Sequence, residues 1–598
     1  MTIHDKLTAL REAVKQAGSD GILLQCRDPH GSEYLPDHYH AIRFFSGFTG
    51  ENSTLIVTMT ESALWCDGRF YGQADRELAG TEIVSMHAGC AGVPTIREYI
   101  RGHFSAGQSL IIDGRATSAA AADDLKAVLA SVGAALTFRD TAGALWDTLG
   151  GRPGLPKSAC RLLTVDQTGE TPAQRIARVR AALEKAGAAM MPIVSLEDIG
   201  WLFCLRASDL PHTPLAVAFA CLDSRECRLY LDRARLSEAE AAELEAASVI
   251  FRPYEAFFEE IPVLAAGKTV LTPPESISAG LLASLSERSD VTVKKAADPI
   301  LLMKGVKNET ELKNLRECHV QDGLAVCRFG MALEAALAEG RLLRESDIDA
   351  MLRQQRSRLP GYRGDSFPTI AAWGPNAAMM HYQAQPGKDS VIERHGFLLV
   401  DSGGQYDNGT TDITRTYPVG PLTDKARRYY TWTLMGHIDM ARAVFLNTCT
   451  GSQLDILARE PLWAHGIDYR CGTGHGVGFM SSVHEGPQNL SPRGRTVFVP
   501  GMTVTDEPGV YEEGELGIRI ENELECVMLQ TNEYGTWLGF RPMTLVPYDT
   551  APLLAEEMSR AQIDWLNAYH RRVYETLAPF MTEDECRWLK GKTAPLSP

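Results

Sequence analysis

The sequence predicts a multidomain protein in which two small α/β domains of similar pattern precede an α+β domain with helices over a curved antiparallel sheet. Three observations carry this. At 598 residues the chain exceeds one ordinary domain, and at about 150 residues apiece it divides into roughly three or four. A Gly/Pro-rich break from Gly150 to Pro156 separates two segments whose helix and strand patterns repeat. Beyond Asp298, long helical patterns alternate with strands grouped around acidic motifs. The expected boundaries are 1–152, 153–300, 301–545 and a C-terminal extension, 546–598.

The first element is a helix, because Ile3, Leu7, Leu10 and Val14 share one face. Strands follow at Gly21 to Leu24, Thr54 to Thr58 and Ala63 to Cys66. After the break the pattern restarts. The helix ending ALEKAGA echoes EAVKQAGS, IGWLFCLRAS echoes IRFFSGFTG, and the strands LAVAFACL and CRLYLDR echo STLIVTMT and ALWCDGR, which suggests a duplication. Asn308 and Glu311 form a capping box for a long helix towards Glu339, and helices are expected at Ser346 to Arg358 and Asp424 to Phe445. The tail carries another helix and a capping box at Thr582 and Glu585, and its expected role is structural.

Composition narrows the function. Apolar residues at 44% and charged residues at 23% suit a soluble globular protein. A net charge of −17 speaks against nucleic acid or anionic membrane as a partner. Thirteen cysteines with no CxxC pair indicate neither a disulfide framework nor a structural zinc site, so a reducing compartment is expected. The N-terminus lacks an apolar signal core, and runs such as Leu215 to Leu222 fall far short of the roughly 20 residues that span a bilayer. The expectation is a cytoplasmic protein.

The chemistry gathers between Phe397 and Glu521. Asp401 in FLLVDSGG, Asp412 in GTTDITRT, His475 in GTGHGVG, Glu507 in TDEPGVY and Glu521 in GIRIEN supply four carboxylates and an imidazole. Four negative charges in a partly buried site repel one another unless about two divalent cations cancel them, so the set points to metal. Asp401 and Asp412 are an odd number of residues apart, and only adjacent strands of a hairpin aim both at one ion. Thr410, Thr411 and Thr414 are available to orient the carboxylates. Around Glu521, GIRIENELECVML alternates as one strand, with Arg519, Glu521, Glu523 and Glu525 on one face. A bare acidic ladder of this kind is ordinarily a solvated face, and Glu507 at a nearby Pro-Gly turn weighs against that.

GTGHGVG is not a nucleotide loop, since the G-x-G-x-x-G spacing needs glycine at Val477 or Phe479. His381 in MMHYQAQP and His484 in SVHEGP are further candidates. Neither HExxH nor GxSxG occurs. Ligands dominated by oxygen favour manganese, with cobalt or zinc as alternatives.

Taken together, DSGGQYDNGTTDITRT, GTGHGVGFMSSVHEGP, DEPGVYEEGELGIRIEN, MMHYQAQP and MKGVKNETELKNLR resemble aminopeptidase P, the Xaa-Pro aminopeptidases of the pita-bread metallopeptidase fold. The resemblance runs over essentially the whole chain and is similar to the long three-domain cytosolic form. It implies two creatinase-like N-terminal domains, a pita-bread catalytic domain, and cleavage between an N-terminal residue and a proline in second position with two manganese ions. Asp401 would then chelate one metal, His475 and Glu507 the other, and Asp412 and Glu521 would bridge both. A hydroxide between the ions would attack the carbonyl. Glu507 would move protons. His484 and His381 would donate to the oxyanion and the scissile amide, an oxyanion donor being worth about 3–4 kcal/mol. Arg519 would orient carboxylates from behind the ligands, and a homodimer is expected from the family.

One position departs from that pattern. Cys471 stands where many relatives carry histidine before GTGHG, which changes the lining of the proline pocket but not the metal set. Two alternatives remain at this point: a prolidase, which uses the same ligands but typically lacks the second creatinase-like domain, and a metal-free pita-bread scaffold that binds without catalysis.

Overall fold

A computed structural model describes residues 1–68 and 70–597, and the chain forms two compact units. The first comprises Met1–Leu163, Glu170–Pro211 and Leu215–Ile300. It opens on helix Ile3–Gln16, started by a capping box at Thr2 and anchored by buried Leu7, Leu10 and Val14, each worth about 1.5–3 kcal/mol when fully covered. Two six-stranded sheets follow. One runs Ile83–His87, Ser62–Cys66, Thr54–Thr58, Gly21–Gln25, Ser109–Ile112, Ala135–Phe138. The other runs Val249–Arg252, Cys227–Tyr230, Phe219–Asp223, Met190–Ile193, Thr269–Thr272, Thr292–Lys295.

Both sheets share one sequence of pairings from edge to edge: parallel, antiparallel, antiparallel, parallel, parallel. The echo in the sequence is therefore a repeat of topology. The copies also meet through equivalent segments. Ala119 N–H donates to the Ile277 carbonyl at 2.9 Å and Ala279 N–H to the Thr117 carbonyl at 2.8 Å, on either side of a Ser118–Ser278 bridge. Gly114 and Gly280 permit this approach, because a Cβ on Gly280 would lie 3.1 Å from the Gly114 carbonyl oxygen.

The second unit contains the chain from Leu301 onward with two short segments, Thr164–Gly169 and His212–Pro214. Its helix Glu309–Ala338 starts at the Asn308 capping box, where the Asn308 side chain accepts from the Thr310 and Glu311 amides at 3.0 Å each. Helices Glu345–Arg356 and Asp424–Ala441 and the C-terminal helix Arg560–Leu577 share one core, in which Leu324, Phe329, Leu398, Leu434, Leu566 and Val573 are buried. The C-terminal extension thus packs as part of this unit. Antiparallel strands Ile370–Trp373, Phe397–Ser402 and Ile413–Pro418 form one sheet, and Val444–Leu446, Gly535–Pro542, Asn522–Asn532 and Thr503–Asp506 form another.

Several expectations are corrected. The helix from Asp424 stops at Ala441 rather than Phe445, because Val444–Leu446 is an edge strand whose backbone pairs with Trp537 to Gly539. In the second repeat the strand begins at Phe219 rather than Leu215. GIRIENELECVML is two strands, not one. Leu516–Arg519 pairs with Gly509–Glu512, whereas Asn522–Asn532 belongs to a different sheet. Ile520 and Glu521 lie between them, their amides donating to the carbonyls of Pro508 at 3.3 Å and Thr414 at 3.1 Å. The acidic face, as the nearby Glu507 already argued, is not a solvated one but buried: Arg519, Glu521, Glu523 and Glu525 are all at most 3% exposed.

Candidate metal centre

Asp401 and Asp412 stand on two neighbouring segments of one sheet. Strand Phe397–Ser402 pairs antiparallel with Ile413–Pro418 so that Asp401 faces Thr414, and Asp412 sits immediately before the second strand. Glu507 follows strand Thr503–Asp506, and Glu521 lies at the crossing between sheets. The adjacent pair Asp506–Asn522 ties those two segments together. His475 is placed by the short pair Gly474–His475 with Asn489–Leu490, its amide donating to Thr505 Oγ1 at 3.0 Å. Gly474 has no room for a side chain: a Cβ there would lie 1.8 Å from the Thr505 carbonyl oxygen.

The structure brings three of the five predicted ligands into one close group, sets Glu507 beside their imidazole, and leaves Asp401 outside that group. Asp412, His475 and Glu521 each offer a ligand atom within 4.8 Å of the others. His475 Nε2 lies 3.4 Å from Asp412 Oδ2 and 3.4 Å from Glu507 Oε1, while its Nδ1 faces its neighbour's Gly476 carbonyl at 3.0 Å. A proton on Nδ1 shared with that carbonyl leaves Nε2 free to ligate. Arg519 grips Asp401, with Nη2 at 2.6 Å and Nε at 3.2 Å from Oδ2, and also donates to Tyr511 Oη at 2.8 Å. Thr414 Oγ1 donates to Glu521 Oε2 at 2.7 Å. Of the three threonines expected to orient carboxylates, it alone does so within this set. Thr410 donates to Gln405, and Thr411 accepts from the Gly404 amide.

The exposed His484 ring stands edge-on to His475, centroids 4.2 Å apart. His381 follows Met380, whose carbonyl accepts from Arg519 Nη2 at 3.3 Å, so the arginine that holds Asp401 also places this segment. Tyr511 and Thr505 are supporting residues that sequence reasoning missed, since an isolated tyrosine or threonine carries no spacing signal. Cys471 is half-buried, and burial together with the Glu507 charge pushes its thiol up to about 12, so it stays neutral.

Electrostatics and unpaired atoms test whether cations belong here. Burial, with the Asp412 and Glu507 charges adding and Arg519 opposing, raises Asp401 to about 7. Burial and the same crowding push Glu521 far above the carboxylate range. Burial works to lower His475, but the hydrogen bond to Asp412 and the Glu507 charge outweigh it and raise it to about 9. Asp401, Glu521 and His475 are thus all pushed towards their protonated forms, the direction a shortage of positive charge produces. Asp401 Oδ1 and Glu521 Oε1 are buried with no hydrogen-bond partner, a costly state unless something else binds them. Oxygen-rich donors, one imidazole and orphaned carboxylate atoms fit divalent cations.

Known proteins share this plan. The family model of metallopeptidase family M24 matches residues 313–527, those of the creatinase/prolidase N-terminal domain match 6–147 and 151–311, and that of the C-terminal region of peptidase M24 matches 536–596. Aminopeptidase P2 of Arabidopsis thaliana is 34% identical, covering 100% of this chain and 89% of its own length. A probable Xaa-Pro aminopeptidase P of Aspergillus niger is 35% identical, covering 99% of both. The X-prolyl aminopeptidase of Caenorhabditis elegans, described as a cytosolic enzyme with a di-nuclear active site, superposes over 100% of both chains with a TM-score of 0.93 at 29% identity. Its ligand-like cluster, its repeated N-terminal fold and relatives matching along its whole length place the chain in the aminopeptidase P family of M24 metallopeptidases.

Proposed function

We propose that this chain hydrolyses the bond between an N-terminal residue and a penultimate proline in peptides, using two divalent metal ions held by Asp401, Asp412, His475, Glu507 and Glu521. The observation that carries it is the cluster in which Asp412, Glu507 and Glu521 crowd one imidazole while the buried Asp401 Oδ1 and Glu521 Oε1 lack partners. The di-nuclear site described for the Caenorhabditis elegans neighbour supports the count. Manganese is the first choice, with cobalt or zinc as alternatives. The division into 1–152, 153–300, 301–545 and 546–598, a homodimer and a cytoplasmic setting belong to the same reading.

When bound, the metal pair supplies Lewis acidity and a water nucleophile that loses its proton near neutral pH. Glu507 would hold one of those ions and, with its second carboxylate oxygen, would take up a proton and deliver it to the departing proline nitrogen. His484, exposed beside His475, donates to the developing oxyanion, and His381 donates to the scissile amide. Arg519 fixes Asp401, and Thr414 fixes Glu521.

A prolidase is the second reading. The Arabidopsis thaliana and Aspergillus niger relatives that match along the full length, both creatinase-like domains included, are named aminopeptidase P2 and probable Xaa-Pro aminopeptidase P, which favours the first. Assaying the purified, manganese-loaded protein on Arg-Pro-Pro and on Arg-Pro decides between them. The tripeptide is expected to turn over far faster, and preferential cleavage of the dipeptide would replace this reading with prolidase.

A further inference from the structure

Behind the metal-holding strands lies a guanidinium that the mechanism does not use. Arg415 follows Thr414 on strand Ile413–Pro418 and is 3% exposed. Other buried arginines of this unit face carboxylates: Arg356 meets Asp322, Arg459 meets Asp455 and Arg519 meets Asp401. Arg415 makes no ion pair among the described residues. Its partners are backbone carbonyls and neutral side chains. A buried cation is expensive to keep without a counter-charge, so every donor must be well used, and six contacts use them.

On the site side, Nη1 donates to the carbonyls of Thr414 at 2.9 Å and Glu521 at 2.5 Å, and Nη2 donates to Asn522 Oδ1 at 2.8 Å. One planar group thereby spans the two segments whose side chains, Thr414 and Glu521, hydrogen-bond each other. It does so where Glu521 lies outside both flanking strands and has no ladder of its own to hold it. On the other side, Nη2 donates to the Val546 carbonyl at 2.7 Å and reaches Tyr569 Oη at 3.4 Å, and Nε donates to the Pro547 carbonyl at 3.3 Å. The guanidinium lies 4.5 Å from the Tyr548 ring centroid. Tyr548 Oη in turn accepts from Asn522 Nδ2 at 2.5 Å and bonds His437 Nε2 at 2.7 Å. His437 Nδ1 donates to the Asp506 carbonyl at 3.0 Å, one residue before Glu507.

We propose that Arg415 is a positioning residue for the metal centre, a fork that fixes the backbone of Glu521 against Thr414 and is itself completed by the C-terminal segment 546–569. The proposal rests on the reading of Glu521 as a metal ligand. It gives the extension a part in the site beyond packing. Lysine cannot replace the fork, because a single ammonium reaches neither both carbonyls and Asn522 together nor the 546–547 carbonyls behind them.

The test is calorimetric titration of manganese into metal-stripped wild type, Arg415→Lys and Tyr569→Phe, with unfolding of each followed by circular dichroism and kcat and KM measured after loading. Wild type is expected to bind two equivalents, and absence of binding would sink the reading of the site itself. Arg415→Lys is expected to keep its fold, to bind the weaker equivalent at least about tenfold less tightly, and to lose kcat with KM nearly constant, the loss recovering in excess manganese. Tyr569→Phe is expected to weaken the same equivalent about threefold. Wild-type manganese affinity in Arg415→Lys, with only its melting temperature lowered, would show a structural role and overturn the proposal. If Arg415→Lys does not fold, Tyr569→Phe decides, and unchanged affinity there overturns it.

Discussion

Glu521 and Glu525 sit four positions apart, both at most 2% exposed, yet their surroundings push them in opposite directions. Glu525 is met by Arg316, at 2.6 and 3.0 Å, and by Arg541, whose contacts range from 2.7 to 3.1 Å. Burial alone would raise it, but these hydrogen bonds and charges hold it below the usual carboxylate range. Glu521 has one hydroxyl, one orphaned oxygen and three carboxylates whose charges add to its burial, so it is driven up. One carboxylate is neutralised from within the protein, and the other is kept short of positive charge. That deficit separates a structural acid from a cation-binding one more sharply than burial does.

Paired substitutions probe this contrast. Glu521→Gln removes a ligand, so kcat/KM should fall by at least about 100-fold, beyond the upper end of what an orienting partner costs. The metal-free protein should change stability by no more than about 1 kcal/mol, because there burial and three neighbouring carboxylates already disfavour the charge and no cation partner is lost. Glu525→Gln should do the reverse. It strands two arginines and is expected to cost about 2–3 kcal/mol in urea unfolding, less than the 3–5 kcal/mol of a fully buried pair because Arg316 and Arg541 are more than a third exposed. Activity per folded molecule should be retained. Equal destabilisation by both substitutions would break the contrast.

Acid sharpens it. Glu525 binds its proton more weakly in the folded protein than its ordinary 4.5, so the unfolded chain is protonated first as pH falls. Its stabilisation is complete above about 4.5 and disappears as pH drops through the lowered folded value. The stability gap between wild type and Glu525→Gln, measured by urea unfolding from pH 7 to pH 3, should therefore narrow below about pH 4.5. A gap that stays constant would remove the ion-pair explanation. The smallest effect is expected from Thr414→Val, which deletes the 2.7 Å bond to Glu521. Manganese affinity should weaken by about tenfold, and an unchanged titration would show that Glu521 needs no such partner.

The candidate ligands were legible because each stands in a short segment rich in turn and strand signals, and because like charges at those positions imply a counter-ion. The repeat in the N-terminal half was legible from period and composition, and it proved to be a repeat of strand order and direction. What lay hidden was whatever depended on distant partners. Arg316, which makes Glu525 a structural acid, is 209 residues away in the chain. His319, 3.1 Å from Glu523, is 204 away. From alternation alone, Glu521, Glu523 and Glu525 are indistinguishable. The break at Ile520 was invisible for a related reason, since the two-residue rhythm continues across it while the hydrogen-bonding partners change. Arg415 gave no signal because most of its acceptors are backbone carbonyls, which no residue type announces, and the rest are neutral side chains distant in the chain.

The exchange of sheets between Arg519 and Asn522 makes this stretch a ruler of fixed length. At one end the chain presents a guanidinium to Asp401, and two steps later it presents a carboxylate to Thr414. A residue added to or removed from that interval could satisfy one of these partners only by turning the other side chain away. Length variation should be tolerated at the Asn532–Gly535 hairpin tip and forbidden here.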